Sequence, residues 1–214
     1  MSVGLAVNSE LNGPLRERWQ ALLEQPLQRL PVERLASCFG GVLPDEQVKA
    51  LLAAPRFHPR LWQLLNRHFQ LAPLQSLAES ADLPVLLLDA AAFAQLPRFC
   101  GAVWHAAALA REIRGTAVQT LKAQLGAEVF AFALARRDQA GAADFLLEGG
   151  QLIAAIDRDG RACLATWYES RPQPLRNWLQ LCFDIPVADV DMPPVAVKLV
   201  PQVAAALPAI GETA

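Results

Sequence analysis

The chain has 214 residues, 53% of them hydrophobic, and its 19 Lys and Arg against 21 Asp and Glu leave a formal net charge of −2. A chain of that length buries a substantial core, while so even a balance offers no general field for nucleic acid or an acidic membrane surface. Leucine and alanine dominate, isoleucine and threonine are scarce and aromatics make up 7%, which favours an all-α or mostly α domain over a sheet.

Residues 1–11 read as a flexible N-terminus. They lack the basic stretch and hydrophobic run of a secretory signal. From there to about residue 72, proline and glycine cut the chain into four short helices. Asn12-Gly13-Pro14 opens the first, with Leu15, Trp19, Leu22 and Leu23 on one face until Pro26. A second runs from Pro31 to Phe39 and stops at Gly40-Gly41. The third starts near Pro44 with Val48, Leu51 and Leu52 inward, and the fourth follows Pro59 with Leu61, Leu65, His68 and Phe69 on one side. Asp82–Leu88 suits either a short buried strand or a turn into a helix capped by Asp89, and the cap is the favoured reading. Its apolar run is far shorter than the roughly 20 residues of a membrane span.

Pro97–Arg137 is dense in alanine and apolar nearly all round the helix. Val103, Ala106, Ala110, Ile113, Ala117 and Leu121 recur at threes and fours, so a central pair of long, buried helices is expected, with a break near Gly126 or at Ala140-Gly141. Residues 151–168 admit a helix or a small β-hairpin turning at Asp159-Gly160. Pro172 and Pro174 open a helix carrying Trp178, Leu181 and Cys182. Five prolines after Ile185 point to an extended proline- and valine-rich tail, 186–214. The domain is therefore placed at 12–185, with possible lobes 12–96 and 97–185.

No phosphate loop, HExxH or GxSxG occurs. Cys38, Cys100, Cys163 and Cys182 are widely spaced and read as buried thiols in a reducing, cytoplasmic compartment, with no metal site. His58 and His68 lack a third ligand; with Arg56, Arg60 and Arg67 they form a basic edge suited to an acidic partner. His105 is the one candidate for histidine phosphotransfer, but Ala108 stands where those domains carry a basic residue. A hydrogen-bonded histidine between helices is the better reading. Of the five tryptophans, at most one is assigned to a partner surface.

The block RFCGAVWHAAALAREIRGTAVQTLKAQLGAEVFAFAL, with its Arg98-x-x-Gly101-x-Val103-x-His105 start, is followed by GRACLATWYESRPQPLRNWLQLCFDIP, with Trp167, Pro172-x-Pro174 and Trp178. Together, from Leu96 to Pro186, they resemble the SctK (YscK/PscK-like) proteins of bacterial type III secretion. The resemblance implies a helical adaptor of the injectisome's cytoplasmic sorting platform, beneath the inner membrane. It would link the ring protein SctD to the pod protein SctQ, with no enzymatic activity, no cofactor and no insertion into the membrane. It assigns no interface residue; Arg56, Arg60 and Arg67 are proposed as one contact surface on charge alone. The competing expectations are a helical chaperone or regulatory binding module of another system and, behind it, the phosphotransfer protein.

Overall fold

The computed structural model describes residues 13–77, 81–143, 149–187, 190 and 192–207. The expected flexible residues 1–11 lie outside them. In chain order the helices are α1 (Gly13–Glu24), α2 (Val32–Ser37), α3 (Asp45–Leu52), α4 (His58–Phe69), α5 (Leu83–Leu86), α6 (Ala90–Trp104), α7 (Ala106–Arg111), α8 (Gly115–Leu125), α9 (Ala127–Leu134), α10 (Gly149–Glu169), α11 (Gln173–Cys182) and α12 (Pro194–Ala206). Short 3-10 turns lie between some of them, and no strand occurs among the described residues. The chain divides into two compact units. One holds the residues up to Ala90 with Arg171–Asp184; the other holds Ala91–Ser170 with the residues from Ile185 onward.

In the first unit the prolines work locally. Pro26 and Pro55 each open a 3-10 turn, Pro44 immediately precedes α3, and Pro59 sits in the first turn of α4, where a missing N–H costs no helical bond. Gly40 and Gly41 take φ of +61° and +75° between α2 and α3, a conformation only glycine adopts freely. The inward faces bring Trp19, Leu22, Leu35, Val48, Leu65 and Trp178 into the unit's core. The returning segment is pinned at both ends. Arg171 donates to Asp82 across 2.7 Å at its start, and at its finish Arg34 pairs with Asp184 and donates to the Phe183 carbonyl. Asp82–Leu88 is not a strand: four of its residues form α5, and Leu87 and Leu88 are buried after it.

In the second unit, α6 and α10 cross backbone to backbone. A Cβ on Gly101 would strike the Ile156 carbonyl, and one on Gly160 would strike the Pro97 carbonyl. This contact decides the ambiguous stretch: residues 149–169 are one unbroken helix, not a hairpin, because Gly160 lets α6 approach rather than turning the chain.

The expected central pair of long helices is divided into α6 to α9. The Trp104 carbonyl accepts the amides of Gly141 and Ala142, both at 3.1 Å, and α6 gives way at His105. A second break follows at Glu112, whose carboxylate accepts the backbone amide and guanidinium of Arg114. Hydrogen bonds from Arg114 lower that carboxyl to about 2. Gly126, at φ +97°, makes the expected third break. The stripe therefore loses phase: Val103, Ala106 and Leu121 are buried, but Ala110 is exposed and Ile113 is 87% exposed.

The tail also departs from an extended segment. Pro193 and Pro194 start α12, which buries Ala196, Leu199, Val200, Val203 and Ala204 and packs on α10. The amide of Met192 donates to the Thr166 hydroxyl.

Candidate docking surface

α4 presents three strips. Leu61 and Leu65 are buried. Pro59, Trp62 and Asn66 follow at three- and four-residue spacing and line open grooves, and Arg60 and Arg67, seven apart, run together down the outward side. Trp19, Trp104, Trp167 and Trp178 are buried, whereas Trp62 is half-buried. Its ring meets Trp178 at 5.7 Å between centroids, tilted by 39°. Pro26 and Trp62 together form a ridge between two hollows. One, of about 390 Å³, runs past Leu23, Asn66 and the 71–75 loop; the other, of about 570 Å³, is lined by Glu24, Pro55, His58 and Pro59.

The 71–75 wall is held from α11. Asn177 is buried and donates to the Gln70 carbonyl at 3.0 Å, while Gln173 donates back to the Asn177 side-chain oxygen at 2.6 Å. The Trp178 indole N–H donates to the Ala72 carbonyl at 2.9 Å. These bonds secure a turn in which Gln70 adopts φ +51°, a region unfavourable for a side-chain-bearing residue. A groove with so fixed a wall has little to reorganise when something enters it.

Arg56, Arg60 and Arg67 are all exposed. Arg56 stacks over Phe57 at 4.7 Å from the ring centroid. His58 is not a free member of the basic edge: its Nε2 is 2.8 Å from the Leu52 carbonyl, and the ring lines the larger groove. His68 packs edge-on against Phe69. The sequence singles out the arginines, which are exposed, but not Trp62, Pro26 or the Asn177 clamp. The available signal was the position of Trp62 on α4, off the Leu61–Leu65 strip and in line with Pro59 and Asn66.

In the second unit a polar cluster lies at the α6–α10 crossing. His105 Nε2 lies 2.8 Å from Asp159, both residues are buried, and Arg158 donates to the other Asp159 oxygen at 2.7 Å. Burial pushes the Asp159 carboxyl up, but the hydrogen bonds and charges of Arg158 and His105 outweigh it and hold the group below its ordinary value. His105 thus joins α6 to α10 and is only 6% exposed, as the interhelical reading expects. A hollow of about 710 Å³ beside it is lined by Trp104, Gln151 and alanines. Arg98 pairs with Asp157 at 3.2 Å along the same crossing. Burial pushes the Cys163 thiol up to about 12 and raises the Cys100 thiol strongly. Cys182 is also buried, but Cys38 is only half-buried.

Over 77 residues the chain is 31% identical to the nodulation protein NolU of Rhizobium fredii and to that of Sinorhizobium fredii (strain NBRC 101917 / NGR234). That match spans 36% of this chain and 36% of each relative. No family model matches the chain. No solved structure matches it. No helix among the described residues is long and apolar enough to cross a membrane.

Proposed function

We propose that this chain is a non-enzymatic cytoplasmic adaptor of the type III secretion injectisome, linking an SctD-like inner-membrane ring protein to an SctQ-like pod protein at the membrane's cytoplasmic face. The observation that carries the reading is the use made of the residues that bear the SctK resemblance. Arg98 is in an ion pair, Gly101 in the helix crossing, Val103 in the core and His105 on Asp159, while Trp178 clamps the groove wall. These side chains hold a scaffold, and the cationic groups of α4 face outward. Such a division suits a protein that acts by being bound. The partial identity to NolU adds a bacterial relative in which the same partners can be sought.

The test is reconstitution. The full chain, an SctD-like cytoplasmic domain and an SctQ-like protein from the same bacterium are mixed and resolved by size-exclusion chromatography with light scattering. A complex containing all three is expected. Failure of both pairwise bindings overturns the reading, and stoichiometric recovery of an unrelated client would favour the chaperone instead. Charge reversal at Arg56 and Arg60 is expected to weaken one of the two contacts.

A further inference from the structure

We propose that the two hollows meeting at Trp62 take an acidic segment of a partner chain, with a proline or aromatic side chain of that segment seated against Trp62 and its carboxylates on Arg56, Arg60 and Arg67. This rests on the adaptor reading only for the partner's setting; the chemistry comes from the groove.

Three observations fix the occupant's character. The first is charge. From Gln47 to Ala78 the sequence contains no Asp or Glu, while Lys49, Arg56, Arg60 and Arg67 all fall within it, in a chain whose net charge is −2. The second is the absence of an internal carboxylate partner. Arg34, Arg98, Arg114, Arg158 and Arg171 each meet a carboxylate, but among the described residues no carboxylate pairs with Arg56, Arg60 or Arg67. Lys49 is satisfied by Glu46. Three exposed guanidinium groups without a carboxylate partner among the described residues, each next in sequence to a residue that lines a hollow (Pro55, Pro59 and Asn66), favour carboxylates in bidentate geometry.

The third is the shape and polarity of the groove. Pro26, Pro55 and Pro59 with the half-buried Trp62 form a rigid, flat apolar surface of the kind that receives extended, proline- or aromatic-bearing chains. Glu24 lines the same hollow and accepts a hydrogen bond from Gln20. Its charge sets a polarity across the groove: the apolar anchor belongs on the Glu24 side, and the acidic residues belong towards the arginine strip.

The experiment uses the full chain and a displayed library of random short peptides. Enriched peptides are labelled and their binding is measured by fluorescence anisotropy. They are expected to carry Asp or Glu next to proline or an aromatic residue, and to weaken with added salt. Arg60→Glu and Arg67→Glu should each reduce affinity about tenfold, with Arg60→Lys recovering most of it. Trp62→Ala should reduce it about thirtyfold and Trp62→Phe much less, which separates loss of the anchor from loss of the fold. Enrichment without acidic bias overturns the proposal, as does binding unchanged by the arginine variants. A wild-type dimer that Arg60→Glu dissociates would make the occupant a second copy and overturn the assignment to a partner. If acidic peptides bind but the SctD-like and SctQ-like proteins do not, the adaptor reading fails and the groove assignment stands. The reverse result removes the groove assignment alone.

Discussion

The clearest charge clusters of the two units differ in setting. In the second, Arg98, Arg158, Asp157, Asp159 and His105 are paired along the α6–α10 crossing, where two glycines bring the backbones together. In the first, ion pairs fasten the two ends of the returning segment, and three arginines in or just before α4 are exposed and meet no carboxylate among the described residues. Polar groups that are buried must be matched within the molecule, because an unmatched one costs far more than a matched one gains. Those left exposed and unmatched are free to select a partner. The contrast sets charges matched across a helix crossing against charges left exposed to solvent.

Breaking the crossing should have the largest effect. Gly101→Leu has no space against the Ile156 carbonyl, so destabilisation of about 3 kcal/mol or more is expected. Loss of cooperative thermal unfolding or of soluble protein would register it; a normal melting curve would mean that the helices separate easily.

Next comes the buried pair. Asp159→Ala strands His105 and should cost about 2–3 kcal/mol in chemical denaturation. Because the Asp159 carboxyl is lowered in the fold, the unfolded chain takes up its proton first. Its stabilising contribution is therefore fully present above the ordinary carboxylate value and is lost as pH falls through the folded one. Between about pH 5 and about pH 3, Asp159→Asn should lose stability less steeply than the wild type. Parallel curves would remove this group from the acid response.

Asn177→Ala sharpens the comparison from the other side. Loss of its bonds to Gln70 and Gln173 should cost about 1–2 kcal/mol. Faster amide exchange confined to the 70–75 region is the accompanying signature, while uniform acceleration would show that the clamp supports the whole fold.

The smallest effects belong to exposed positions. Ala110→Asp, which the apolar stripe predicts to be disruptive, should change stability by no more than about 0.5 kcal/mol because Ala110 is exposed. Arg56→Glu with Arg60→Glu should likewise leave the melting temperature almost unchanged. A marked loss in either case would place these side chains in the scaffold after all.

What could be read along the chain was whatever is decided within a few residues. Proline at helix starts, the Gly40-Gly41 turn, the burial of Leu15, Trp19, Leu22, Val48, Leu61 and Leu65 and the break at Gly126 were all legible, since they follow from backbone freedom and side-chain spacing, whereas His68, expected beside Leu61 and Leu65, is exposed. The arginine edge was legible too, as a run of like charge. The groove beside it was not, because Trp62, Pro26 and the Asn177 clamp come from segments up to about 150 residues apart in the chain.

Three further decisions belonged to packing. α6 stops at His105 because a distant loop takes up its last carbonyl. Residues 149–169 stay helical through Gly160 because that glycine admits a neighbouring backbone. The valine-rich tail becomes α12 because one of its faces is buried on α10. By itself the sequence determined that the chain is helical, where its first helices begin and which charges it carries. Only the tertiary structure decided which glycines turn, which histidine is buried and which tryptophan is left open. The physical reason is that local preferences differ by about 1 kcal/mol per residue, whereas close contact between distant segments outweighs them.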